Sequence, residues 1–255
     1  MITRKTPSEI ELLKEGGKHH ALILRELVNT VAPGVSTNEL EDLARKLLKE
    51  HGDSAAFLRY KPEGAKRPYP AALCVSINEE IVHGIPNEDP KILKEGDVVT
   101  LDLGLTHKGL ITDSAITVGV GTISVEERRL IEGTKEALYA GIKEARGGGY
   151  IGDIGFAIEN VAKHLNLALA EGLSGHGVGY EVHEDPYVPN SGRKGTGEKL
   201  VSGMVIAIEP MLVLGKGDIV LAKDGYTFKT KDGKKSAHFE HTIVITDGDP
   251  IILTA

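Results

Sequence analysis

The sequence has no tryptophan, one cysteine and few aromatic residues (4%). A chain whose only cysteine is Cys74 forms no intrachain disulfide, so we expect a reducing compartment, the cytoplasm. No apolar run approaches the ~20 residues that span a membrane, and residues 1–8 lack the apolar stretch of a signal peptide. With so few aromatic side chains, the core must be aliphatic.

The sequence also lacks a basic excess, since 30 Lys and Arg stand against 37 Asp and Glu for a net charge of −7. Nucleic acid is therefore not an expected partner. A chain of 255 residues, 40% hydrophobic and 26% charged, is typical of a globular protein with one large domain or two small ones. No low-complexity linker divides it.

Apolar spacing, capping residues and helix-breaking Pro and Gly predict four helices in two pairs, each pair followed by strands. The helices run from Pro7 to Ala32-Pro33-Gly34, from Ser36 or Thr37 to Gly52, from Val125 to Arg146, and over a segment with Ile154, Ala157, Ile158 and Val161. Predicted strands cover 71–77, both arms of a hairpin within 96–114, and then 203–214, 218–221, 226–230 and 236–246.

The second helix pair resembles the first at an offset of about 114 residues, which indicates a weak internal repeat. We predict one domain, residues 1–255, made of two related halves of about 7–120 and 124–255. Two related halves commonly place a functional site at their junction.

The hairpin within 96–114 carries one aspartate in each arm. With its turn centred between His107 and Lys108, Asp102 faces Asp113. Carboxylates about 5 Å apart repel each other, and burial adds to the cost. Either one is protonated, as in an acid dyad, or a cation lies between them. A register slipped by one residue would instead leave one aspartate in water.

Two glutamates interrupt apolar strands of the second half. Glu209, inside 203–214, must be paired, protonated or metal-bound, unless it faces a groove or a buried arginine. Glu240 shares a strand face with His238, two residues away. His241 points to the other face and is interpreted as a hydrogen-bonded structural histidine.

Three further histidines stand beside glycine or proline. His176 lies within Gly-His-Gly-Val-Gly, where glycine lets other atoms approach the backbone closely. This is not a phosphate loop, because the lysine, the Ser or Thr and the following helix are missing. His83 and His183 each precede a proline by three residues. Taken singly, each of these features is weak evidence of a site.

Together these residues indicate a metal centre. Four carboxylates carry a charge that two divalent cations balance. Mostly oxygen ligands with one imidazole favour Mn, Fe, Co or Zn. Two such ions bridged by carboxylates activate water and polarise a carbonyl, which predicts hydrolysis.

The motifs, in this order, resemble those of the type I methionine aminopeptidases of the M24, or pita-bread, metallopeptidase family. They comprise 76–86 with His83, the Asp102 and Asp113 hairpin, 175–179, 183–186, 208–211 and 239–242. The resemblance runs from about residue 7 to the C-terminus. It implies the α/β (α+β) pita-bread fold, a curved antiparallel sheet with two pseudo-symmetric helix pairs.

The resemblance also implies residue roles. The implied metal ligands are Asp102 on one ion, His176 and Glu209 on the other, and Asp113 and Glu240 bridging both. Glu209 would serve as general base and then acid. His183 would contact the scissile carbonyl and His83 the amide nitrogen of the substrate. His238 stands where Gln is expected, and we predict that it supports Glu240.

The implied methionine pocket contains Tyr69 and Cys74, which match a Tyr-Pro-x-x-x-Cys spacing. Tyr226 stands where tryptophan is common in bacterial relatives, and Val182 where an aromatic residue is usual. Both departures predict a wider pocket. The basic loop 59–68 resembles a small insertion beside the pocket, and the sequence assigns it no role.

The implied activity is metal-dependent removal of the initiator methionine from nascent polypeptides with a small second residue, near the ribosome, by a monomer. No Cys/His-rich segment precedes residue 7 and no long insertion separates His183 from Glu209, so we expect a bacterial-like enzyme without zinc fingers rather than type II. Two alternatives remain: an Xaa-Pro aminopeptidase or dipeptidase of the same fold, and a non-catalytic binding protein.

Overall fold

The computed structural model describes residues 2–255, and within them four helices form two packed pairs, as predicted. They are α1 (Pro7–Thr30), α2 (Thr37–His51), α3 (Val125–Glu144) and α4 (Ile151–His164). Reciprocal capping boxes begin the first three, at Thr6, Ser36 and Ser124. Gly52 ends α2 in the left-handed conformation, with φ of 76°. Of these helices, none is both long and apolar enough to cross a membrane.

Antiparallel strands make up the rest of the ordered structure. Along residues 2–255 they are β1 (Ser54–Ala55), β2 (Leu73–Ile77), β3 (Glu80–Val82), β4 (Val98–His107), β5 (Leu110–Gly119), β6 (Ala168–Leu169), β7 (Ser174–Gly177), β8 (Glu184–Pro189), β9 (Val205–Ile208), β10 (Met211–Val213), β11 (Ile219–Leu221), β12 (Phe228–Thr230), β13 (Ser236–His238), β14 (His241–Val244) and β15 (Ile251–Ile252). In the first half β4 pairs with β1, β2 and β5, and in the second the order is β15-β14-β9-β7-β8. The mixed α/β content confirms the predicted fold class.

The register of the β4–β5 hairpin differs from the prediction by two residues. Asp102 lies opposite Ala115, and Asp113 lies opposite Gly104. The turn consists of Lys108 and Gly109, both at positive φ (48° and 84°), which is the two-residue geometry that matches strand twist. The predicted direct pairing of Asp102 with Asp113 is therefore wrong. Because the difference is even, both aspartates still lie on one face, as diagonal neighbours.

Two long strands predicted in the second half are each broken at a glutamate. The predicted strand 203–214 divides into β9 and β10 at Glu209-Pro210, and 236–246 divides into β13 and β14 at 239–240. Pro210 has no backbone N–H to donate, which explains the first break. The pairing register continues through both breaks, since Ile208 lies opposite His241 and Met211 opposite His238. Glu209 and Glu240 therefore lie across from each other between the paired segments.

Hydrogen bonds join β5 to the segment of the second half that carries Glu240. The Thr242 hydroxyl accepts from the Asp113 N–H (2.8 Å) and donates to the Asp113 carbonyl (2.7 Å). The Ser114 hydroxyl donates to the Glu240 carbonyl (2.7 Å), and the Glu240 N–H donates to the Ala115 carbonyl (2.9 Å). These bonds hold Asp113 beside Glu240.

The core is mainly aliphatic, as the composition predicted. One cluster packs α1 and α2 against β2 and β4, and another packs α3 and α4 against the second-half strands. A third, with Tyr69, Cys74, Val182 and Tyr226, combines residues of both halves. That these halves form a single domain with an internal repeat stays a prediction.

Candidate active site

A cavity of about 810 Å³ contains all the residues that the sequence predicted for the site. Those from the first half are Tyr69, Cys74, His83, Asp102 and Asp113, and those from the second are His176, Val182, His183, Tyr226, Glu209, His238 and Glu240. The cavity therefore lies where the two halves meet.

Four carboxylates of this cavity are buried, with only 2–8% of each residue exposed. One oxygen each of Asp102, Asp113 and Glu240 is buried without any hydrogen-bond partner. Burial raises the pKa of Asp102 to about 7. Burial, together with repulsion from neighbouring carboxylates, raises the pKa values of Asp113 and Glu240 well above their usual range. These groups are therefore either protonated or neutralised by cations.

Glu209 differs from the other three carboxylates because it has two histidine partners. His176 Nε2 lies 3.2 Å from one Glu209 oxygen, and His238 Nε2 lies 3.4 Å from the other. Burial alone would raise the pKa of Glu209, but its interactions with these two histidines lower it to about 2. Glu209 is thus ionised at neutral pH. His238 also approaches Glu240 at 4.0 Å, so it lies between the two glutamates.

The local sequence aims His176 at the carboxylates. Its Nδ1–H donates to the Gly177 carbonyl at 2.9 Å, so Nε2 faces the carboxylates. Although burial opposes it, the Glu209 carboxylate raises the pKa of His176 and favours a proton on Nε2, and a metal that replaces this proton would meet the Nε2 lone pair. A Cβ on Gly175 would lie 2.3 Å from the Ala207 carbonyl oxygen, and one on Gly177 would lie 2.1 Å from that of Asp185. The flanking glycines therefore permit the close packing of β7 that positions the imidazole.

His83 and His183 line the same cavity but do not join the carboxylate cluster. Burial lowers the pKa of His83 to about 4, and its φ of 60° is uncommon for a residue with a side chain. His183 is exposed at the opening, yet desolvation by the surrounding protein, with His176 nearby, lowers its pKa as well. Its ring lies 4.4 Å from that of His176, centroid to centroid. Both rings are therefore neutral hydrogen-bonding groups at pH 7.

Tyr60 is a site residue that the sequence analysis missed. Its hydroxyl lies 2.9 Å from His183 Nδ1. It belongs to the loop 59–68, whose other end meets the pocket where the Tyr226 hydroxyl donates to the Arg67 carbonyl. No local sequence pattern identifies Tyr60 as a site residue. The only indication is that it belongs to a loop predicted to lie beside the pocket.

The predicted methionine pocket is lined by side chains that are held in place. The Tyr69 and Tyr226 rings pack edge to face, with centroids 5.2 Å apart, and the Tyr69 hydroxyl donates to the Gly84 carbonyl at 2.9 Å. Burial raises the pKa of the Cys74 thiol well above its usual range, so it is a protonated, apolar wall rather than a nucleophile. His241 lies outside the cavity lining, and its Nδ1 is 2.9 Å from the Thr254 hydroxyl, in agreement with a structural role.

Comparison with known proteins gives a consistent result. The model of metallopeptidase family M24 matches residues 11–247. The chain is 48% identical over 249 residues to a methionine aminopeptidase from Aquifex aeolicus, an alignment that spans 96% of each. It superimposes on the crystal structure of methionine aminopeptidase from Thermotoga maritima with a TM-score of 0.95 and 41% identity, covering 100% of this chain and 99% of that one. A prolidase from Pyrococcus furiosus shares the fold, with a TM-score of 0.75 and 22% identity over 99% of this chain and 65% of its own.

Proposed function

The chain belongs to metallopeptidase family M24 and is therefore a metal-dependent hydrolase, and we propose that it removes N-terminal methionine from peptides. Its relatives are named methionine aminopeptidases, after this reaction. One observation carries the proposal: five potential metal ligands from both halves meet in the cavity that also contains the apolar pocket. The pocket would hold the methionine side chain, and the metal ligands, which line the same cavity, would meet the peptide bond that follows it.

The donor atoms fit divalent cations. Ligand atoms of Asp113, His176 and Glu240 all lie within 4.8 Å of one another, and so do those of Glu209, His238 and Glu240. The buried carboxylate oxygens without partners are the hard ligands that such ions require. We propose two ions, drawn from Mn, Fe, Co and Zn, because two divalent charges offset four carboxylates.

We propose for these ions the ligand assignment that the resemblance implies. Asp102 would hold one ion, His176 and Glu209 the other, and Asp113 and Glu240 would bridge them. Asp113 and Glu240 are the two carboxylates that the β5 hydrogen bonds hold side by side. When bound, the ions lower the pKa of water and polarise the substrate carbonyl.

Glu209 is the proposed general base. It is ionised at neutral pH, so it can take a proton from the attacking water and return it to the leaving amine.

His183 and His83 are proposed to bind the peptide group. Each is neutral at pH 7 and can donate one N–H, His183 to the scissile carbonyl oxygen and His83 at the amide nitrogen. Donors aimed at the developing oxyanion lower the barrier by ~3–4 kcal/mol in other hydrolases. The Tyr60 hydroxyl, at His183 Nδ1, fixes the orientation of that ring.

Substrate selection follows from the same arrangement. Tyr69, Cys74, Val182 and Tyr226 surround the space for methionine, and the free α-amine would meet the ion held by Asp102. We further propose nascent polypeptides with a small second residue as substrates, processed near the ribosome in the cytoplasm by a monomer. The single, buried Cys74 suits that compartment.

The test is methionine release from Met-Ala-Ser after metal stripping and stepwise reloading with Mn, Fe, Co or Zn, beside a peptide with proline in second position. We expect no release from stripped protein, recovery up to two equivalents of metal, and little cleavage of the proline peptide. Preferential cleavage of the proline peptide would assign the Xaa-Pro activity instead. Metal uptake without release from either peptide would assign a binding role.

A further inference from the structure

A second cluster of histidines and a carboxylate lies outside the cavity lining. It consists of His19 in α1, Asp53 directly after α2, and His107 at the end of β4. Three potential ligand atoms, one from each residue, lie within 4.8 Å of one another. The chain separations of 34 and 54 residues show that folding, not a local motif, brings them together.

The three side chains converge on the Asp53 carboxylate. Its Oδ2 lies 2.8 Å from His19 Nδ1 and its Oδ1 lies 2.6 Å from His107 Nδ1. The Asp53 side chain is fully buried and that of His107 is 7% exposed, whereas that of His19 is 24% exposed. One side of the cluster is therefore open to solvent, which provides a route of entry for an ion.

The surroundings favour metal ligation by His107. Its outer nitrogen, Nε2, lies 3.3 Å from a carboxylate oxygen of Glu15, which Lys108 also contacts at 2.8 Å. With a metal on Nδ1, the remaining ring proton would sit on Nε2, on the side of the Glu15 carboxylate, as is usual for metal-bound histidines. The His51 ring lies 4.7 Å from that of His19, centroid to centroid, so another imidazole is close.

We propose that His19, Asp53 and His107 form a binding site for a divalent transition metal, with Zn²⁺ as the representative ion. Two imidazoles and one carboxylate are a common ligand set for Zn²⁺ with a fourth position left open. Ligands at ~2.0–2.2 Å from one ion in tetrahedral geometry lie roughly 3.3–3.6 Å apart. One atom from each of the three residues already lies within 4.8 Å of the others, so shifts on the order of 1 Å would bring them into this geometry. The ion displaces the proton of each contact.

Such an ion would act on the fold rather than on the reaction. It would join α1, the end of α2 and the tip of the β4–β5 hairpin. Because metal bound only by the folded chain adds its binding free energy to stability, Zn²⁺ at this site should raise the unfolding temperature.

The test compares the zinc content of the stripped, full-length protein and two variants after equilibration with ZnCl₂ and removal of free ion. We expect wild type to retain about one equivalent more than His19→Asn, because the cavity ligands are the same in both. His164→Asn, a change at the exposed end of α4, is the matched control and should retain as much as wild type. Equal zinc content in all three proteins would overturn the proposal.

A second measurement avoids dependence on variant folding. Wild-type crystals soaked in ZnCl₂ should give an anomalous difference peak between His19 Nδ1, Asp53 and His107 Nδ1, besides those in the cavity. Peaks in the cavity alone, with the two nitrogen–oxygen contacts intact, would show a hydrogen-bonded His–Asp–His triad and no metal site.

Discussion

Two regions of the molecule place a carboxylate between two histidines, and they differ in what surrounds that unit. In the cavity His176 and His238 flank Glu209, and at the hairpin tip His19 and His107 flank Asp53. At the hairpin tip, the Glu15 carboxylate that approaches His107 is itself paired with Lys108, so these two charges offset each other.

In the cavity, by contrast, the unit is joined by Asp102, Asp113 and Glu240, each with a buried oxygen that has no partner. Imidazoles can neutralise one buried carboxylate, but two of them cannot neutralise four. Cations are therefore required in the cavity because it contains more carboxylates than its histidines can neutralise. At the hairpin tip the histidines suffice for the single carboxylate, so a cation there is an addition.

Replacing the central carboxylate of each region by its amide should give the largest difference in activity between the two regions. Glu209→Gln removes the proposed base and a metal ligand, so kcat for methionine release should fall by ~10³-fold or more. Asp53→Asn should leave kcat of the folded enzyme within about twofold. Steady-state kinetics on Met-Ala-Ser, with circular dichroism to check folding, measures both. Equal losses in the two variants would remove the functional distinction between the regions.

Next in size is the loss of the proposed oxyanion donor. His183→Ala should lower kcat by about 10²-fold with a smaller change in KM, because the contact strengthens as charge develops on the carbonyl oxygen. His164→Ala, on the exposed end of α4, serves as the matched control and should keep wild-type kinetics. A loss confined to KM would assign His183 to ground-state binding only.

The excess of carboxylates also predicts how the stability of the metal-free protein depends on pH. The pKa of Asp102 is about 7 in the folded chain, against ~3.9 when unfolded, and the pKa values of Asp113 and Glu240 are raised well above their usual range. At these three groups the folded state binds more protons between pH 4 and 7, so their contribution to stability should fall as pH rises through that window. His83 and His183 act in the opposite direction, because their lowered pKa values keep them neutral in the folded state.

Urea denaturation at pH 5, 6 and 7 measures this dependence. We expect metal-free Asp113→Asn, which lacks one raised carboxyl and keeps every histidine, to gain about 1 kcal/mol or more relative to metal-free wild type from pH 5 to 7. Excess Mn²⁺ should restore more stability to wild type at pH 7 than at pH 5. The lowered pKa of Glu209 leaves its contribution constant across this range. A stability difference between wild type and Asp113→Asn that stays constant from pH 5 to 7 would contradict the proposed burial of excess carboxylates.

The smallest effect concerns the loop 59–68. Tyr60→Phe removes the hydroxyl at His183 Nδ1 and should lower kcat by roughly 3–10-fold, less than loss of His183 itself. Combined with His183→Ala, it should have no further effect on kcat. Additive losses in the double variant would mean that Tyr60 acts independently of His183.

The sequence predicted best those features that are determined by residues close together in the chain. Helix starts followed from capping residues such as Ser36 and Ser124, and the membership of the cavity followed from charged residues within apolar strands and from the family motifs. The predicted hairpin register was wrong by two residues because the turn consists of Lys108 and Gly109, both at positive φ, instead of being centred between His107 and Lys108. The aspartates stayed on one face because strand alternation has a period of two.

The remaining features depend on contacts that no local pattern encodes. The break of the long second-half strand at Pro210 was foreseeable from its missing N–H, but the matching break before His241 required the partner strand. Tyr60 reaches His183 across 123 residues of sequence, and nothing near His19 indicates Asp53 or His107.

The central claim is that a dinuclear cation centre neutralises the buried carboxylates of the cavity. A crystal structure of the protein grown with excess Mn²⁺, with anomalous data, tests it most directly. The account predicts two peaks within reach of Asp102, Asp113, His176, Glu209 and Glu240. Full-occupancy side chains in this arrangement with no peak among them, or the same carboxylates turned outward into water, would contradict it.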